Sequence, residues 1–173
     1  MRNCLIITTL YLSIISLLIF PDVGLADYPD GYYEVQRVLD GNTFELTDGN
    51  IVRLIGIDAP EAGETCSTEA TQHISSLISG ETVYLEKDVP ETDSDGRLLR
   101  YVYVNEVFVN LELVNDGYAY AVSYPPDITY ISQLADAEED AINNNRGCLW
   151  AIIRIDPDGT LMGTPHGSWQ AVL

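Results

Sequence analysis

The sequence predicts an α+β domain in which five strands close a small barrel and three helices pack against it. Three observations carry this reading. Three extended segments follow one another at hairpin spacing before any helical pattern begins; one amphipathic helix then separates the third strand from the fourth; and two more helices follow the fifth. An OB-type barrel is the economical architecture for that order of elements.

The elements follow in turn. "YYEVQRVL" alternates as a strand does and runs into the turn "DGNT", after which "FELT" is extended again. Asp48-Gly49 closes a tight hairpin, and "IVRLIGI" is the return strand. From Ser67 to Ser79, Ala70, Ile74, Leu77 and Ile78 recur at helical spacing, with Gly80 as the stop. "ETVYLEK" and "RLLRYVYV" are the fourth and fifth strands, joined by the polar, turn-rich "DVPETDSDG". A short helix follows, with Asn110 as its N-cap, Leu111 and Val114 facing inward and Gly117 at its end. "YAYAV" adds an extended piece, and Pro125-Pro126 breaks the chain. A last helix runs from Thr129 to Asn145, facing inward through Ile131, Leu134, Ala135, Ala141 and Ile142, and Gly147 ends it. Residues 151–173 hold the turn "DPDG" and no further element, and form a C-terminal extension to the domain at 27–150.

The N-terminal residues "MRNCLIITTLYLSIISLLIFPDVGLAD" carry Arg2, an apolar run from Cys4 to Phe20, and small residues at Gly24 and Ala26. They read as a secretory signal over 1–26, cleaved after Ala26, and the protein is expected to be secreted or periplasmic. The rival is an uncleaved anchor, since the run is near the lower length limit for a spanning helix. Cleavage leaves Cys66 and Cys148, an even pair bound for an oxidising compartment, which suggests a disulfide. It would close a long loop, worth on the order of 4 kcal/mol in the chain-entropy view.

Lys and Arg number 8 against 27 Asp and Glu, a formal net charge of −19, and Lys87 is the one lysine. Such a surface repels phosphate backbones, so any role on nucleic acid starts at an electrostatic disadvantage. Arg53, Arg97 and Arg100 lie in neighbouring strands, where they could keep a local positive patch. His73 borders an apolar helix stripe and reads as a packing residue, and with His166 it offers no zinc site.

Some polar residues are not explained by local structure: Asn42 in the first turn, Arg53, Asp58 and Glu61 around the third strand, and Arg97 after "DSDG". Oxygen donors beside two arginines suit a hard cation and a bound phosphate, because calcium takes carboxylate, amide and carbonyl oxygens and the guanidinium fork matches phosphate oxygens. Strict alternation puts Arg53 and Asp58 on opposite faces, so convergence needs a bend at Gly56 or near Pro60. Asp40 reads as a turn former, and "DSDG" as a turn rather than a calcium loop.

"VLDGNTFEL", "VRLIGIDAPE" and "DGRLLRYVYV", followed by "LVNDGYAYA" and "AEEDAINNNRGCLW", resemble the staphylococcal nuclease (thermonuclease) family in order and spacing, over about residues 33–150. The resemblance implies an OB-barrel endonuclease, secreted in many members, that uses Ca²⁺ to hydrolyse phosphodiester bonds of DNA and RNA. Carried over, it makes Arg53 and Arg97 the catalytic arginines, Glu61 the catalytic glutamate, Asp58 a calcium ligand and Ala59 the ligand through its carbonyl. Asn42 stands where the family pattern has a second calcium-binding aspartate, and the resemblance there implies weaker metal binding. Ser94 and Asp95 replace a lysine and a tyrosine that help hold nucleotide, and Tyr120 and Tyr124 fall where family tyrosines approach substrate. The protein so implied is a monomer acting on DNA or RNA, without stable membrane association once the signal is removed. The alternative is a non-catalytic OB-type binding module with an impaired metal site at Asn42.

Overall fold

The computed structural model describes residues 28–151, together with the backbone of 154–155 and 161–162. The signal segment, Cys4 and His166 lie outside the described residues.

The barrel is built from β1 (Gly31–Asp40), β2 (Thr43–Leu46), β3 (Ile51–Leu54), β5 (Thr82–Glu86) and β6 (Leu98–Val104). Sheet order runs β3-β2-β1-β5-β6, and a parallel pairing of β3 with β6 closes it. The long first strand makes closure possible. Its first half pairs with β5 and its second half with β2, and register shifts between Val35 and Arg37 and between Val38 and Asp40 bend it from one partner to the other. Phe44, Leu46, Val52, Leu54, Val83, Leu85, Val102 and Val104 fill the interior, as period-two alternation requires.

The segment read as one third strand is two. It breaks at Gly56, whose φ of 77° is a left-handed conformation that glycine adopts without steric cost, and resumes as β4 (Ile57–Asp58). A Cβ at Gly56 would also stand 2.6 Å from Leu134 Cδ1, so the bend packs directly on a helix.

Helix α1 (Ser67–Ile78) lays Ala70, Ile74 and Ile78 on the core, and α2 (Val109–Asn115) buries Val109, Leu113 and Val114. Asn110 is not the N-cap, which is Phe108; it sits inside the first turn of α2, fully buried, and Leu111 is only half-buried. After β7 (Val107–Phe108) and β8 (Tyr120–Ala121), α3 covers Ile131–Asn143. Its inward residues are Leu134, Glu138 and Ala141, while Ala135 and Ile142 face solvent. Gly147 does not merely end this helix but opens a fourth, one-turn helix, α4 (Gly147–Trp150). That turn carries Cys148 to Cys66 at the start of α1, and the two form a disulfide with Cα atoms 5.5 Å apart. In the C-terminal extension, where the sequence indicated a turn alone, β9 (Arg154–Ile155) and β10 (Leu161–Met162) pair antiparallel. Among the described residues no helix is long and apolar enough to cross a membrane.

Candidate active site

The site begins at the β1–β2 turn. Asp40 Oδ1 accepts the Asn42 N–H at 2.9 Å, an Asx turn that gives Asp40 its local role. Gly41 lets this turn press against α1, since a Cβ there would lie 2.6 Å from Ala59 Cβ and 2.9 Å from Ala70 Cβ. Asn42 is thereby held at 1% exposure, its carbonyl accepting Leu54 N–H at 2.9 Å. Its side chain is a fixed amide at the end of the barrel.

The bend at Gly56 does the rest. Arg53 is locked in register between Thr43 of β2 and Leu99 of β6, and Asp58 is held by pairing with Tyr120 of β8. Alternation alone would separate them; the left-handed glycine brings them together. Arg53 Nη2 donates to Asp58 Oδ1 at 2.6 Å, Arg53 Nη1 donates to Asn42 Oδ1, and Asn42 Nδ2 lies 3.4 Å from Asp58 Oδ1. The bend itself is pinned by Asn110, whose Nδ2 donates to the Ile55 carbonyl at 2.8 Å while its Oδ1 accepts Val102 N–H at 2.9 Å. An asparagine that looked like a helix cap is a bolt between site strand and barrel.

Arg97 is placed by the "DSDG" turn. Asp93 Oδ1 accepts the N–H groups of Asp95 and Arg97 at 3.0 and 2.9 Å, and Asp93 Oδ2 accepts Arg97 Nε at 2.7 Å. Burial pushes the Asp93 carboxyl up, but the hydrogen bonds from Arg97 outweigh it and hold it below the ordinary carboxylate value. Arg97 Nη2 also lies 3.6 Å from Asp95 Oδ2, and the side chain lines a cleft of about 330 Å³ together with Arg53, Asp93, Tyr124 and Asp127. The two arginines share one cavity, as phosphate binding requires.

Other expected residues stand apart. Glu61 is exposed on the loop after β4 and is not among the residues lining that cleft; its carboxylate accepts no hydrogen bond among the described residues. Arg100 does not extend a positive patch: it is 0% exposed, bound to Glu91, to the carbonyls of Leu99 and Tyr28 and to the Glu91 carbonyl. Strand alternation turned it to the interior of the fold. Ser94 and Asp95 are exposed at the turn. Tyr120 packs edge-to-face on Trp150 at 5.6 Å, and burial with the charges of Glu64, Glu138 and Asp58 raises its phenol. His73 stacks on Tyr118 at 4.3 Å, and its Nε2 lies 3.0 Å from Asp116 Oδ2, so it joins packing with a polar contact between α1 and the end of α2. Asp93 and Asp127 escaped sequence reasoning; the first was visible as an Asx residue of the turn, the second had no local signal.

The donor set can be tested against calcium. Asn42 Oδ1, Asp58 and the carbonyl of the buried Ala59 are all hard oxygens, which fits the ion's preference. Their charge is a single carboxylate, and among the described residues no three His, Cys, Asp or Glu gather as a metal cluster. The residues fit a weak site, one in which Arg53 holds the donors when no cation does.

Comparisons with known proteins bear on this arrangement. The chain is 31% identical over 131 residues to a thermonuclease of Staphylococcus hyicus, covering 70% of this chain and 78% of the relative. It is 34% identical over 122 residues to a thermonuclease of Staphylococcus intermedius, 63% and 70% of the two chains. A micrococcal nuclease of Shigella flexneri is 30% identical over 144 residues, 75% and 79% respectively. A family model described as staphylococcal nuclease homologue matches residues 51–152, the stretch that holds Arg53, Asp58 and Arg97. Barrel, paired arginines and these matches agree: the chain belongs to the staphylococcal nuclease family.

Proposed function

We propose that this protein is a calcium-dependent nuclease that hydrolyses phosphodiester bonds of DNA or RNA. The observation that carries the reading is the convergence of Arg53 and Arg97 on one cleft, from strands that only the closed barrel brings together. Nuclease-named relatives support the same class of reaction.

In this reading a phosphate entering the cleft draws Arg53 from Asn42 and Asp58, and the two guanidinium groups hold its non-bridging oxygens. Their hold tightens as negative charge builds on those oxygens in the transition state. Glu61, exposed on the loop after β4 and outside the cleft lining, takes the proton of an attacking water when substrate extends from the cleft to that loop; its carboxylate accepts no hydrogen bond among the described residues. Water oxygen forms the new P–O bond as the opposite P–O bond breaks in line, and the leaving oxygen takes up a proton. Asn42, Asp58 and the Ala59 carbonyl would hold calcium, which supplies charge neutralisation between phosphate and Asp58. Export belongs to the same proposal: a signal over 1–26 would deliver the domain at 27–150, a monomer free of the membrane, to an oxidising compartment suited to its disulfide.

The test is cleavage of DNA and of RNA by the purified chain, with calcium or with chelator, beside Arg97→Ala. Calcium-dependent cleavage that Arg97→Ala lowers by about 100-fold supports the reading. Absence of cleavage by the intact chain would leave a non-catalytic binding module.

A further inference from the structure

A second concavity lies on the outer wall of the barrel, and none of its residues lines the cleft. Tyr32 of β1 pairs with Tyr84 of β5, Tyr84 with Tyr103 of β6, and Tyr103 with Phe108 of β7, so four neighbouring strands each add one aromatic residue to a single row. Residues directly opposite each other share a face of the sheet. The alternate residues Val83, Leu85, Val102 and Val104 are buried inside the barrel, so the row faces outward. Ring centroids are 5.2 Å apart from Tyr32 to Tyr84 and 6.3 Å apart from Tyr84 to Tyr103, with planes inclined by 61° and 56°. These three tyrosines, Thr82, Asn105 and Glu106 line a trough of about 430 Å³. Packing accounts for Tyr103, which stacks on Phe108 at 4.8 Å, but not for Tyr32, which is 76% exposed.

We propose that this trough binds an alkylated ammonium cation, such as a trimethylammonium group. Aromatic faces attract a cation within about 6 Å of the ring centroid, and the observed spacing lets one cation meet that limit for two rings at once. The mutual inclination of the rings forms walls around a compact group, where a flat sugar or base would need coplanar rings. Charge selects the same ligand. Glu106 is the one ionised residue lining the trough and no basic residue lines it, so a phosphate or a carboxylate meets only repulsion there. The net charge of −19 draws cations toward the surface. The turn that carries Glu106 adds a separate argument. Asn105 and Glu106 form the two-residue connection from β6 to β7 with φ of 46° and 70°, a pattern whose second position favours glycine. A glutamate there bears a steric cost that glycine would avoid. Its carboxylate makes no hydrogen bond or ion pair among the described residues, so no contact of that side chain offsets the cost. A cation in the trough supplies the missing partner.

The full chain is titrated by NMR with choline and with its uncharged carbon isostere, in which a tert-butyl group replaces trimethylammonium. Choline is expected to bind about tenfold more tightly than the isostere, with the largest shifts on the Tyr32 and Tyr84 rings. Tyr32→Leu keeps an apolar side chain but removes the π face, and should bring choline down toward the isostere; Tyr32→Phe should retain binding. Glu106→Gly should weaken choline while Tm holds or rises, because a φ of 70° suits glycine. Parallel titrations with Nε-trimethyllysine and with phosphatidylcholine vesicles tell a methylated side chain from a lipid headgroup, and saturation by either supports the site. Equal affinity for choline and its isostere, or no choline binding, overturns the proposal, as does binding that survives both Tyr32→Leu and Glu106→Gly. Saturable binding of cellobiose without any of choline would make the row a sugar platform and overturn it too. Cleavage of nucleic acid decides nothing here, since the trough shares no residue with the cleft.

Discussion

Arg53 reaches Asp58 at 2.6 Å and Asn42 with the same guanidinium, so a residue of β3 is tied to a strand end beyond a bend and to a turn on another hairpin. Only a planar fork spans two acceptors in this way. Arg53→Lys replaces it with a point charge that satisfies one acceptor and one phosphate oxygen. The expected result is a kcat lower by about 100-fold with little change in Tm, read from steady-state cleavage and thermal unfolding. An unchanged kcat would remove Arg53 from the chemistry.

Asn42 gives the candidate metal site no charge, and its Nδ2 lies 3.4 Å from Asp58 Oδ1. Asn42→Asp adds a second carboxylate, and calcium affinity should rise on the order of tenfold, since affinity follows ligand charge. Calorimetric titration with calcium measures it. If affinity and turnover both stay where they are, this position does not limit the metal.

Asn110 joins Ile55 to Val102 from a fully buried position. Asn110→Ala leaves an N–H and a carbonyl without partners in the core, at a cost of about 2–4 kcal/mol in denaturant unfolding. Because Ile55 precedes the Gly56 bend, cleavage should also fall in samples that are still folded.

Glu138 is a carboxylate buried on the inner face of α3, with Ala121 N–H on its Oε1 at 3.1 Å. Burial raises its carboxyl, and the Ala121 N–H opposes this only in part. The folded chain then binds the proton more readily than the unfolded one, so this group's contribution is most favourable below the ordinary glutamate value and declines as pH rises toward the raised one. Glu138→Gln keeps the acceptor and removes the charge. It should raise Tm by a few degrees at neutral pH and by progressively less on acidification through that window; a constant difference at every pH would contradict the assignment.

The charge balance sets the salt response. With Arg100 buried, and Arg53 and Arg97 paired to Asp58 and Asp93, the cleft has little free positive charge within a chain of net charge −19. Raising ionic strength from about 0.02 M to 0.15 M screens the repulsion between this surface and the substrate as well as the grip on phosphate. Turnover at low substrate should hold or rise. A steep loss over that range would show that the arginines govern encounter.

The barrel was legible because its signals are local. Alternation in "YYEVQRVL" and "RLLRYVYV", the Asp48-Gly49 turn and the stripe of Ala70, Ile74 and Ile78 each report on a few neighbouring residues, and the closed sheet is their consistent sum. The same local logic failed where a residue serves a distant strand. Asn110 read as a cap because a polar residue at a helix start usually is one, and its true partners are 55 and 8 positions away. Glu138 broke the apolar stripe expected of α3 because its partner lies on β8.

Sequence by itself determined the residue types of the site and the strands that bear them: Arg53 and Asp58 on one segment, Asn42 in a turn, Arg97 after another. Tertiary structure decided which of them meet. Closure of β3 on β6 set Arg97 beside Arg53, the left-handed Gly56 swung Asp58 back to both Arg53 and Asn42, and burial withdrew Arg100 from the surface. It also decided that Asp127, unremarkable in the chain, stands in the cleft, since proximity between distant residues is fixed by sheet closure and packing rather than by spacing.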